Sequence, residues 1–81
     1  MENDKTLVMD KVRQPEDVKE IMSIVFEALD SRDYNAIDQI VGYMLSGDPS
    51  YITSHSNART LITKIDREDI LEELIRTYLN K

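Results

Sequence analysis

Thirteen consecutive residues, 47–59 (GDPSYITSHSNAR), hold most of the side chains in this chain that could do chemistry: Asp48, Tyr51, Thr53, His55, Asn57 and Arg59. A loop that dense in specific side chains either binds something or is pinned down by its own contacts. The serines around His55, with Asp48 nearby, invite a Ser-His-Asp hydrolase. A triad is a geometry and not a composition, however, and neither a nucleophile elbow nor an oxyanion hole is recognisable here. An 81-residue chain with one histidine has little room to build and shield such a site. No catalytic residue is therefore expected. Glu68, Asp69, Glu72 and Glu73 could gather carboxylates at helical spacing, but a charged outer helix face accounts for them. Without EF-hand spacing or any cysteine, neither a metal nor a cofactor is expected. Two readings of the loop remain. In one, Asp48, Tyr51, His55, Asn57 and Arg59 hold a small anion or an acidic peptide, with Arg59 offering its fork of donors. In the other, Tyr51 and Ile52 plug the core while residues 54–57 cap the next helix. The residue types alone favour the second, since small polar residues before a helix are ordinarily caps.

The elements that position this loop are helices. Before it, Ile37, Ile40, Val41, Met44 and Leu45 fall on one helical stripe. Asn35 stands where an N-cap belongs, Asp38 adds negative charge to the first turn, and Gly47 with Pro49 ends the helix. Further upstream, Pro15 opens a first helix whose core stripe is Val18, Ile21, Met22, Val25, Ala28 and Leu29. Ile24 and Phe26 widen that apolar face beyond what one small domain hides. After the loop, a third helix is expected over residues 57–65, with Ala58, Leu61, Ile62 and Ile65 inward. Residues 66–69 form a capping-box variant that either bends the chain or starts a new helix. From there Ile70, Leu71, Leu74, Ile75, Tyr78 and Leu79 make a second broad apolar face, with Glu72, Glu73 and Arg76 outward. The expected fold is all-α, a small compact bundle of four to five short helices. Residues 1–13 form a mobile N-terminal tail and residues 14–81 a single helical domain. A homodimer, intertwined or face-packed, would cover the surplus apolar surface, with Ile24, Phe26, Leu71, Ile75 and Leu79 as interface candidates.

Composition narrows the function further. A net charge of -6 and a pI near 4.6 disfavour a nucleic-acid partner, because phosphate contacts need a basic face. The first residues are acidic and polar, with no apolar run long enough for a signal peptide or a membrane span, so a cytoplasmic protein is expected. Thr6 sits in the tail between Asp4 and the Leu7-Val8 pair, where a kinase could bind the chain extended. By residue type alone it is a solvated tail threonine.

The block YNAIDQIVGYMLSGDPSYI, the Asn57-Ala58-Arg59 triplet and the terminal REDILEELIRTYL together resemble the IreB family of small regulatory phosphoproteins of Gram-positive bacteria. The resemblance covers most of residues 34–79, and GDP-x-YI with the triplet is its specific part. Two positions depart from the family pattern: Ala36 stands where proline is usual, and Met9 where the tail usually has an aromatic residue. The resemblance implies a non-enzymatic homodimer phosphorylated on a tail threonine, here Thr6. The kinase would be a membrane-spanning Ser/Thr kinase that monitors the cell wall, with a cognate phosphatase opposing it. The output would be envelope stress or cell-wall antibiotic tolerance, through an unidentified downstream protein. Phosphate on Thr6 would be repelled by the acidic body or captured by arginines such as Arg59 or Arg67, with docking near the 47–59 loop. In the alternative, that loop serves a small-ligand or peptide-binding adaptor without phosphorylation.

Overall fold

The computed structural model describes residues 12–80, and within them the chain forms four α-helices joined by short connections. Helix α1 (Pro15–Ser31) is the centre of the bundle and packs against each of the other three. Pro15 occupies the first helical turn, where its missing N–H costs nothing, and Glu16 and Asp17 face the positive end of the helix. Its expected stripe is the core: Val18, Ile21, Val25, Ala28 and Leu29 are buried, and Met22 packs against them.

Helix α2 (Ala36–Ser46) begins and ends at the expected residues. The Asn35 side chain accepts the Asp38 N–H at 3.1 Å, and Gly47 closes the helix in the left-handed region at φ 74°. The stripe itself is divided. Ala36 and Tyr43 are buried, with Ile40 and Met44 packed beside them. Ile37, Val41 and Leu45, on the other edge, point away from the core, Ile37 at 68% and Leu45 at 82% exposure. One helix face wider than its contact with α1 leaves an uncovered margin.

Helix α3 (Ala58–Ile62) is shorter than expected, a single turn and a half that buries Ala58 and Ile62. Ile65 remains in the core although the helix has already ended. Its N-terminus also differs from expectation. The segment His55–Asn57 is a 3-10 turn in which Ser56 (φ 56°) and Asn57 (φ 61°) are both left-handed. Asn57 thus redirects the chain through its backbone, and its side chain makes no capping hydrogen bond. Asparagine tolerates that conformation better than most residues.

Helix α4 (Arg67–Leu79) is a new helix rather than a bend, starting after Asp66 in an extended conformation. Only Ile70 of its apolar residues is buried. Glu73, expected outward, is instead buried at 8% exposure. Helix α4 meets α1 along the edge that carries Ile70 and Glu73, and Lys19 of α1 meets the Glu73 carboxylate at 3.5 Å. The tail expected over residues 1–13, Thr6 included, lies outside the described residues as far as residue 11. Val12 is half-buried, and its N–H donates to the Lys64 carbonyl at 2.8 Å.

Candidate functional site

The 47–59 loop is held at nearly every turn by hydrogen bonds to backbone. Ser46 begins it: its hydroxyl donates to the Gly42 carbonyl at 2.8 Å and accepts the Asp48 N–H at 3.0 Å. Asp48 in turn accepts the Ser50 N–H at 2.9 Å and opens a 3-10 turn, Pro49–Tyr51. The Ser50 N–H, then the Ser50 hydroxyl, and more weakly the Arg59 guanidinium hold the Asp48 carboxyl below the usual carboxylate range. Asp48 and Arg59 are the two candidate residues that the fold brings into electrostatic reach of each other.

Tyr51 packs against α2 at the one place where the helix has no side chain. A Cβ built on Gly42 would overlap the Tyr51 ring, so glycine is needed there for close approach. The Tyr51 carbonyl accepts from the Gln39 amide at 2.8 Å, which ties the loop to α2 a second time. Tyr51 is therefore a bracket on the outside of α2 rather than a core plug, whereas Ile52 next to it is fully buried.

Arg59 does the same from the other end. Its Nε donates to the Ile52 carbonyl at 2.8 Å, while its backbone N–H donates to the Thr53 carbonyl at 3.1 Å. The Thr53 hydroxyl accepts the His55 N–H at 3.2 Å. His55 and Asn57 stand exposed at the tip, and among the described residues neither side chain has a hydrogen-bond or ion-pair partner. Asp48, Tyr51 and Arg59 thus serve the loop's own architecture, and His55 and Asn57 do not converge with them on a shared partner.

Arg67 is the residue whose task the sequence concealed. Its guanidinium lies against Gly47, and Nη1 donates to the Met44 carbonyl at 2.9 Å. A cation at the negative end of α2 satisfies a carbonyl that the helix cannot. The signal was present only as an arginine 20 positions beyond a glycine stop, which no local pattern connects.

A second region gathers charge outside the loop. Between the start of α1 and the outer half of α4 lies a cleft of about 480 Å3 bounded by Arg13, Lys19, Asp69, Glu72, Glu73 and Arg76. Glu72 pairs with Arg76 at 2.8 Å, one turn apart on α4, and that partner raises the guanidinium pKa further. Among the described residues, no group of three or more His, Cys, Asp or Glu is disposed to hold a metal ion. Nor is any described helix long and apolar enough to cross a membrane.

Comparison with known proteins gives two matches that span most of the chain. The family model described as IreB regulatory phosphoprotein matches residues 4–80. A UPF0297 protein from Lachnoclostridium phytofermentans is 54% identical over 69 residues, which cover 84% of this chain and 78% of the relative.

Proposed function

The chain belongs to the IreB family of regulatory phosphoproteins, and on that premise we propose that it is a cytoplasmic charge switch phosphorylated on Thr6. It is not an enzyme. The observation that carries the reading is the extent of the match, which begins at residue 4 and so takes in Thr6 together with the whole helical body. The kinase is a Ser/Thr kinase that senses the state of the cell wall, a cognate phosphatase reverses it, and the output is envelope stress or antibiotic tolerance through a downstream protein. Phosphate brings close to two further negative charges to a chain already at -6.

The working form is a homodimer. Phe26, Leu71, Ile75 and Leu79 are all about half exposed, and with the half-buried Ile24 they supply the apolar surface a second copy would cover. Ile37, Val41 and Leu45 on α2 add a second such surface.

Incubating the purified protein with the Ser/Thr kinase domain of its own organism, followed by intact-mass and peptide mass spectrometry, tests the switch. A single dominant phosphate on Thr6 is expected, and Thr6→Ala should abolish regulation in cells. No phosphate, or phosphate scattered over serines, would overturn it. The adaptor reading of the 47–59 loop has less support, because Arg59 and Asp48 already spend hydrogen bonds on the loop itself.

A further inference from the structure

The cleft between α1 and α4 has walls of opposite charge. Arg13 and Lys19 stand on one side, and Asp69, Glu72 and Glu73 on the other with Arg76 among them. Its volume is that of a site for a small ligand or a few residues of peptide. Glu73 is the one buried charged residue among the described residues, yet its two contacts are long: Lys19 at 3.5 Å and the Thr77 hydroxyl at 3.3 Å. A buried carboxylate is costly unless paired and hydrogen-bonded, and this one has acceptor capacity to spare. Arg13, at the mouth, has no ion-pair partner among the described residues. The cleft therefore suits an occupant that carries both signs.

The chain itself supplies one. The Val12 N–H to Lys64 carbonyl bond fixes the backbone one residue before Arg13, so the described chain begins beside the cleft wall. The sequence of residues 1–11, MENDKTLVMDK, carries both signs, three acids (Glu2, Asp4 and Asp10) and two lysines (Lys5 and Lys11). Six extended residues from Val12 back to Thr6 span up to about 20 Å. That is roughly the length of α4, about 20 Å at 1.5 Å per residue.

We propose that the unphosphorylated segment 1–11 seats in this cleft as an intramolecular ligand, with Lys5 against Glu72 and Glu73, and that phosphate on Thr6 expels it. Lys5 directly precedes Thr6, so the contact that seats the lysine brings a phosphate up to three carboxylates. Of the basic groups in the cleft, Arg76 is engaged with Glu72 and Lys19 with Glu73, which leaves Arg13 at the mouth against three carboxylates. Arg59 and Arg67, the other capture candidates, each already donate to a backbone carbonyl elsewhere. The expulsion step rests on the phosphorylation of Thr6 proposed above, whereas the seating of the segment does not.

The chain has no cysteine, so Asn3→Cys in the full chain accepts a single nitroxide label. Paramagnetic broadening of 15N-labelled amides then reports where the segment lies. Broadening is expected along residues 69–80 without phosphate. It should disappear when phosphothreonine is encoded genetically at position 6, and also in Glu72→Lys, a change at an exposed position. No broadening in the unmodified chain would overturn the proposal, as would broadening centred on residues 47–59 or retained after phosphate is installed. Because the phosphate is introduced without a kinase, failure of the kinase to modify Thr6 would leave this result standing.

Discussion

Helices α1 and α4 carry the same kind of sequence pattern and meet different fates. Each reads as a broad apolar face at helical spacing, yet α1 buries five residues and α4 buries, of its apolar ones, Ile70 alone. The difference lies in position. Helix α1 runs through the middle of the bundle and is covered by α2, α3 and the His55–Asn57 turn as well as by α4. Helix α4 lies at the edge, touching α1 along the side that carries Ile70 and Glu73, which leaves Leu71, Ile75 and Leu79 about half exposed. Periodicity identifies the residues that share a face, but what covers that face is decided by neighbours far away in sequence.

The same truncation made on both helices tests the contrast most directly. Leu29→Ala removes a fully buried side chain from α1 and is expected to cost about 2–5 kcal/mol, the usual range for opening a core cavity. Leu71→Ala on α4, at 50% exposure, should cost about 1 kcal/mol or less in the isolated chain, since half of its transfer energy was never gained. Urea denaturation at low protein concentration measures both. Equal losses would mean that α4 is covered in the single chain after all.

The elements with a local cause were legible in the sequence. Asn35 caps through an atom three residues away and Gly47 needs only its own backbone freedom, so both were found at their true positions. The α1 stripe was legible because a central helix is covered along its core stripe, with Ile24 and Phe26 at the margin left partly open. The division of the α2 stripe was not, because Ile37 and Ile40 are the same residue type and only the placement of α1 separates them. Residues 54–57 read as a group of helix caps, but consecutive left-handed residues at Ser56 and Asn57 have no one-residue signature when neither is glycine. The family resemblance points to the loop and the tail, while the cleft depends on Glu73 being buried where α4 meets α1, which no local pattern on α4 encodes.

A double substitution sharpens the comparison in the other direction. Leu71→Glu with Ile75→Glu changes only half-exposed positions, so the stability of the single chain should fall by about 1 kcal/mol per site. If a second copy covers α4, the same substitutions place two charges in an apolar interface. Sedimentation should then show a monomer where the parent chain is a dimer, and the melting temperature should lose its dependence on protein concentration. Val41→Glu on the outer edge of α2 is the counterpart. Dissociation by Val41→Glu and not by the α4 pair would transfer the interface from α4 to α2.

The smallest effect belongs to the loop between the covered and uncovered faces, and it appears as a pH dependence. Asp48 is held below the usual carboxylate range by the Ser50 N–H first, by the Ser50 hydroxyl next, and by the Arg59 charge. Its folded pKa is thus lower than its unfolded value, which lies near ~3.9. The stabilisation from its charge is accordingly present above that unfolded value and lost as pH falls through the lowered folded one. Asp48→Asn keeps an oxygen to accept the Ser50 N–H but removes the charge. The stability difference between parent and variant should be constant from pH 7 to about 5 and shrink below ~4. The Asp48 carboxyl followed by 13C NMR should titrate below the same carboxyl in the unfolded chain. Coincident titration would show that the turn positions Asp48 without drawing on its charge, leaving the Gln39, Arg59 and Tyr51 contacts to hold the loop against α2.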